Sequence, residues 1–208
     1  LKPEETEKIA EACKNAVVTI ENLAVDYAFI NVECAASAFI ATTNGVCKPI
    51  IDFNGCYVGE NVLLRSGNAG AFVGYSGDSG GSVTVKNCYS LATTEGSLDY
   101  GLVAHVRQAT VTVSNSYNAN GPITSYDNLN WTGKYTFTNA YQTEDAGFHN
   151  NTYKTNFATI SADNMKGLDV FSSGKMETLN ASNAYVATEG FPKLALFEGI
   201  WLGTSDTS

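Results

Sequence analysis

Val83-Thr84-Val85-Lys86-Asn87-Cys88-Tyr89 sets apolar residues at alternate positions and closes on Asn, Cys and Tyr. Such alternation belongs to a strand with one buried and one wet face. The pattern recurs upstream as Val18-Thr19-Ile20-Glu21-Asn22 and Ile51-Asp52-Phe53-Asn54-Gly55-Cys56-Tyr57. Downstream it recurs as Val111-Thr112-Val113-Ser114-Asn115-Ser116-Tyr117 and Tyr135-Thr136-Phe137-Thr138-Asn139-Ala140-Tyr141. With Ile20, Phe53, Val85, Val113 and Phe137 as common anchors, successive copies lie 33, 32, 28 and 24 residues apart. Repeats of this length specify a solenoid or a propeller.

A second anchor falls between the first ones. Ala38-Phe39-Ile40-Ala41, Ala71-Phe72-Val73-Gly74 and Gly101-Leu102-Val103-Ala104 each hold two large apolar residues between small ones. Each repeat therefore carries at least two strands, and no long amphipathic helix separates the copies. A coil that returns on itself every repeat can stack equivalent strands in parallel without helical crossovers. The expected architecture is a parallel β-helix of about four to five rungs, its copies spanning Ile20 to Phe137. Equivalent side chains then sit about 4.8 Å apart. Asn54, Asn87, Asn115 and Asn139 should form an amide ladder, Tyr57, Tyr89, Tyr117 and Tyr141 an aromatic one, with Cys56 over Cys88 as stacked thiols. The wider early spacing predicts long loops at Gly55–Ala69 and Tyr75–Ser82, projecting from the second rung.

The wording Gly70-Ala71-Phe72-Val73-Gly74 followed by Gly81-Ser82-Val83-Thr84-Val85-Lys86-Asn87-Cys88-Tyr89 resembles the GLUG repeat of bacterial surface and secreted proteins. The resemblance covers roughly residues 16 to 145 and is clearest from 70 to 117. It implies a right-handed β-helix on an extracellular, exported protein, in an adhesin-like or accessory role. No single activity comes with it.

Composition narrows the partners. A net charge of −9 and only two arginines, Arg65 and Arg107, oppose extended contact with phosphate backbones or anionic membranes. No apolar run approaches the roughly 18 residues of a membrane helix. Five cysteines (Cys13, Cys34, Cys47, Cys56 and Cys88) leave at least one unpaired within the chain. They form no CxxC and have no His at ligand spacing, against a zinc site. The start on Leu1 reads as that of a fragment of a larger parent chain.

At the N-terminus, Pro3 and the acids after it, with Ile9, Cys13 and Val17 four apart, predict a short amphipathic helix capping the solenoid within residues 1–15. A gapless alignment of Ile9–Asn22 on Leu102–Asn115 competes, making Ile9-Ala10 a strand. The solenoid is assigned to residues 16–145 and a C-terminal capping segment to 146–208, with a short helix over Ser161–Gly167 capped by Ser161.

Catalytic signals are few. Gly77-Asp78-Ser79-Gly80-Gly81 spells the nucleophile motif of chymotrypsin-like proteases, yet both histidines, His105 and His149, follow it where that family needs one before. The chain also lacks the Asp-Asp, Asn-Thr-Asp and Gly-His-Gly signatures of pectin-degrading β-helices. A calcium site is conceivable from Asp78, Asp99 and Asp127, without EF-hand spacing. The expectation is a non-catalytic module for adhesion or for binding a glycan or extracellular protein. Its contact residues would be Tyr57, Tyr75, Tyr100, Tyr126, Trp131, Arg65 and Arg107. Alternatives are a carbohydrate-active enzyme and a structural spacer.

Overall fold

A computed structural model describes residues 2–14, 16–43, 47–76, 80–124, 134–144, 146 and 157–197. Helix α1 (Pro3–Ala12) is followed by β1 (Val17–Glu21), β2 (Ala24–Asn31), β3 (Ala35–Ala36) and β4 (Ile40–Thr42), which make the first turn. The second turn is β5 (Ile50–Asn54) and the long β6 (Tyr57–Ser76); the third is β7 (Ser82–Lys86), β8 (Tyr89–Ser90) and β9 (Thr93–Val106). Partial turns follow in β10 (Thr110–Asn118), β11 (Lys134–Thr143) and β12 (Ala158–Ile160), then a small antiparallel pair, β13 (Tyr185–Val186) and β14 (Lys193–Leu194). The chain is a parallel β-solenoid of about 3 turns with one short N-terminal helix.

The repeat anchors fall into register. Ile20 pairs with Phe53, Phe53 with Val85, Val85 with Val113 and Val113 with Phe137 along one wall. On a second wall Ile40 pairs with Val73 and Val73 with Val103, a stack of three strands among the described residues. Among the described residues the turns are complete through β9, about 3 turns against the four to five rungs expected. Inside, the rings of Phe39 and Phe72 stack at 5.4 Å, and Phe53 meets both edge-on. Phe53, Phe72, Leu64 and Leu102 are fully buried there.

Asparagine makes one corner. Asn22, Asn87, Asn115 and Asn139 have φ between 48° and 51°, the left-handed region that Asn tolerates better than most residues. In the second turn Gly55 takes that place, at φ 64°; a Cβ on it would lie 2.6 Å from Asn22 Oδ1 and 3.0 Å from Ala184 Cβ. Asn54 therefore stands one position earlier than the amide ladder requires, paired with Lys86 rather than Asn87. Its oxygen still accepts from Asn87 Nδ2 at 2.8 Å. Asn87 accepts from Asn115 at 3.1 Å, and Asn115 from Asn139 at 3.0 Å.

Tyr57 and Tyr89 stack at 5.0 Å and Tyr117 and Tyr141 at 4.7 Å, forming the expected aromatic ladder. Of the C-terminal segment, β12 pairs with β11 at the end of the stack and Phe157 meets Phe137 edge-on at 5.4 Å, while the stretch from Met165 to Leu194 lies along this ladder on the flank of the solenoid. Tyr185 donates to both Cys56 O (2.9 Å) and Asn87 O (2.8 Å), Tyr89 donates to Pro192 O, and the Tyr117 hydroxyl bonds Thr178 Oγ1 at 2.9 Å. Met165, Val170, Met176, Leu179 and Leu194 fill the space between. Burial pushes the Tyr117 phenol up to about 12 and raises Tyr89 and Tyr185 as well, so all three remain donors at neutral pH. The expected helix at Ser161 is a short 3-10 turn, Ala162–Met165, with the Ser161 hydroxyl accepting from Asn164 N.

At the other end α1 forms with Pro in its first turn and Glu5 reaching back to Lys2 N at 2.9 Å. The competing strand at Ile9-Ala10 does not form. A disulfide, Cys13–Cys47, fastens the helix to the approach to β5. The helix buries no residue, and Val17, Tyr27 and Phe29 of the first turn stay 61%, 80% and 67% exposed.

Candidate functional site

The projecting loop expected at Gly55–Ala69 is not what the chain builds, since from Tyr57 onward that stretch is wall, part of the unbroken strand β6; the loop expected at Tyr75–Ser82 includes residues 77–79, outside the described residues. Where β6 bends beside β3 and β4, small residues leave a groove of about 630 Å³. Ala35, Ala41 and Gly67 contribute the small surfaces, Tyr75 and Thr42 one set of larger walls, and Glu33, Cys34 and Asn68 the other. Register explains the grouping: Ala35 pairs with Asn68, and Thr42 pairs with Tyr75, so first and second turns contribute side by side.

Asn68 is the unusual member. Its side-chain nitrogen and its backbone N–H both donate to Cys34 O at 3.1 Å. It is 9% exposed, and its Oδ1 has no hydrogen-bond partner. A buried acceptor left unpaired costs about 1–3 kcal/mol, so native structures rarely keep one without a use. Tyr75 is held firmly: its ring stacks on His105 at 4.9 Å, and its hydroxyl accepts from Arg107 Nη1 at 3.3 Å. Glu33 supplies the one charge among the lining residues.

The structure thus brings Tyr75 and Arg107 of the expected contact residues together. Arg65 lies on the same strand but is engaged with Glu95 at 2.6 Å, both side chains about half exposed; that hydrogen bond holds the Glu95 carboxyl below its ordinary range. Tyr100 packs half-buried against the core. Tyr57 is a correction: at 2% exposed it belongs to the internal ladder, because the C-terminal segment covers the face it would have presented. Tyr126 and Trp131 lie outside the described residues, as do Gly77, Asp78 and Ser79 of the protease-like motif, Asp127, His149 and the side chain of Asp99.

A second cleft, of about 460 Å³, opens at the seam between solenoid and C-terminal segment. Its solenoid wall carries Asp26, Tyr27 and Glu60; Lys166, Phe191 and Lys193 face them from the other side. The register slips between Val25 and Tyr27, setting Asp26 against Gly59, where any Cβ would lie 2.3 Å from its carboxylate. Asp26 accepts from the Tyr57 hydroxyl at 3.0 Å and pairs with Lys193 at 3.7 Å.

Sequence reasoning missed Glu33, Cys34 and Asn68. The available signal was a polar residue amid small ones, Gly67-Asn68-Ala69-Gly70 beneath Cys34-Ala35-Ala36, where a solenoid has no packing reason for an amide. Among the described residues no group of three or more His, Cys, Asp and Glu is placed to hold a metal ion, and no helix is long and apolar enough to cross a membrane. Comparison with protein families, curated proteins and solved structures finds no match to this chain.

Proposed function

We propose that the chain is a non-catalytic binding module of an exported bacterial protein, and that it holds a neutral saccharide in the groove between Glu33 and Tyr75. The observation that carries this reading is Asn68, nine-tenths buried with an unpaired Oδ1 on the lining of that groove. Sugar hydroxyls are donors, and the groove offers acceptors in the Asn68 amide and the Glu33 carboxylate. Reaching Oδ1 takes a turn of the amide about its last torsion, which is soft. Tyr75, stacked and hydrogen-bonded from behind, supplies a rigid ring edge against which an apolar sugar face can rest. Glu33 and the net charge of −9 disfavour acidic polymers, and the guanidinium groups that would attract one are engaged with Glu95 and Tyr75. The disulfide fits an oxidising, extracellular setting.

Titration of the purified chain against hits from a neutral-glycan array tests this. Asn68→Ala and Tyr75→Ala should each weaken binding about tenfold, the equivalent of one buried hydrogen bond at about 1.4 kcal/mol. Binding untouched in both variants, or no glycan bound at all, defeats the proposal.

The seam cleft favours a second reading, a glycan-cleaving enzyme, because it brings the carboxylates of Asp26 and Glu60 into one lining beside exposed Tyr27. On that reading Asp26→Asn and Glu60→Gln should each abolish release of reducing sugar from a polysaccharide panel. Equal release by wild type and both variants removes it.

A further inference from the structure

The lining of the seam cleft is neutral as a whole, and its charges are sorted by wall. Asp26 and Glu60 stand on the solenoid side, Lys166 and Lys193 on the side of the C-terminal segment. A β-bulge does the sorting on the first wall. Val25 pairs with Val58 and Tyr27 with Asn61, so the single residue Asp26 stands opposite both Gly59 and Glu60. Val25 and Ala28 pack against the core and Val58 and Val62 lie within it, which leaves Asp26, Tyr27 and Glu60 together on the outer face. Strict alternation would have sent Tyr27 inward. On the second wall the Thr188 hydroxyl accepts from Gly190 N at 3.1 Å and donates to Phe191 O at 2.8 Å, fixing the turn that presents the Phe191 ring.

These charges do not all cancel within the chain. Among the described residues one pair is matched across the cleft, Asp26 with Lys193 at 3.7 Å. Glu60 has no hydrogen-bond or ion-pair partner among them. The Lys166 ammonium lies 5.3 Å from the centre of the Phe191 ring and pairs with Asp163 at 3.8 Å, where a carboxylate 96% exposed holds it only weakly. One carboxylate and one ammonium thus remain available on opposite walls, with Tyr27, Leu91 and Phe191 as apolar surface between them.

We infer that this cleft binds a small zwitterion with an apolar side group, an amino acid or a short peptide. Its ammonium lies on the Glu60 and Asp26 wall, its carboxylate at Lys166, and its side group between Tyr27 and Phe191. A ligand with a single charge gains on one wall and is opposed by the other, whereas a zwitterion gains on both. The volume of about 460 Å³ suits a small ligand, whose clefts span roughly 300–1,000 Å³. The site is separate from the groove between Glu33 and Tyr75 and does not depend on a saccharide there. It makes Asp26 and Glu60 counter-charges and not a cleaving pair, and release of reducing sugar would mark the other use.

The test titrates the intact chain by NMR at low salt and pH 6, where α-amines are charged. The ligands are L-phenylalanine and the dipeptide Phe-Phe, each beside its N-acetyl form, an anion, and its amide, a cation. At least one zwitterion should saturate the chain, and the tighter of the two names the source. It should bind about fivefold more tightly than either derivative, the effect of one nearby charge in water. Glu60→Gln should shrink the lead over the N-acetyl form and keep the lead over the amide; Lys166→Gln should do the reverse. High salt should shrink both, and Phe191→Ala should weaken all three forms alike. No saturable binding of either zwitterion, a derivative that binds as tightly as its parent, or leads that neither charge variant alters each overturns the inference.

Discussion

Tyr89→Ala is expected to destabilise the fold by about 4 kcal/mol, the usual cost of removing a fully buried aromatic ring, and to lower the melting temperature by about 10 °C. The ring is 0% exposed, stacks on Tyr57 at 5.0 Å and touches Tyr185 at 5.7 Å, while its hydroxyl holds Pro192 O. The deletion opens a cavity where the solenoid meets its C-terminal segment. Tyr89→Phe keeps the ring and gives up one hydrogen bond, about 1 kcal/mol. Tyr27→Ala, at a ring 80% exposed, should cost almost nothing. Urea unfolding of the three variants checks the order; a Tyr89→Ala change no larger than that of Tyr27→Ala would show that the segment does not rest on the ladder.

Asn87→Ala should cost about 3 kcal/mol, from two separable sources. Its backbone sits at φ 51°, where a residue with a Cβ that cannot bond locally costs roughly 1–2 kcal/mol. Its amide also bridges Asn54 and Asn115 in a place 2% exposed, and each neighbour loses a partner worth about 1 kcal/mol. Asn87→Gly relieves the backbone without replacing the amide, so it should cost about 2 kcal/mol and fall between wild type and Ala. Chemical denaturation separates the two. Equal losses for Ala and Gly refute the backbone contribution, and a neutral Gly variant refutes the ladder.

Residues that repeat were legible in the sequence, and residues that do not repeat were hidden. Ile20, Phe53, Val85, Val113 and Phe137 announce themselves by alternation and spacing, and each pairs with the next. The stretch Gly55–Ala69 misled for a physical reason: its glycines, asparagines and Arg65 are ordinary loop residues, yet a solenoid wall flanked by strands on both sides supplies hydrogen bonds that override local propensity. Asn54 misled by one position because Asn54-Gly55 stands where the other turns have a single asparagine at the corner.

The C-terminal segment left no periodic trace at all. Tyr185 reaches Cys56 and Asn87 across 129 and 98 residues of chain, and contacts at that separation carry no signature in neighbouring residues. Tyr57 was therefore legible as a rung of the ladder and illegible as a buried one. The groove was hidden for a related reason. Cys34 and Asn68 stand 34 positions apart and meet only because β3 and β6 are stacked.

A bare solenoid is close to a one-dimensional crystal: each layer knows only its two neighbours, and such an object can melt from either tip, layer by layer. The tyrosine contacts of the C-terminal segment break that rule by tying β6, β8 and β10 to one covering piece. These layers must open together or not at all. The first turn shares in none of these tyrosine contacts and meets the covering piece through the half-exposed Asp26–Lys193 pair and Ala24. With Val17, Tyr27 and Phe29 bare and the Cys13–Cys47 link as its clasp, it is the more frayable edge of a cooperative block.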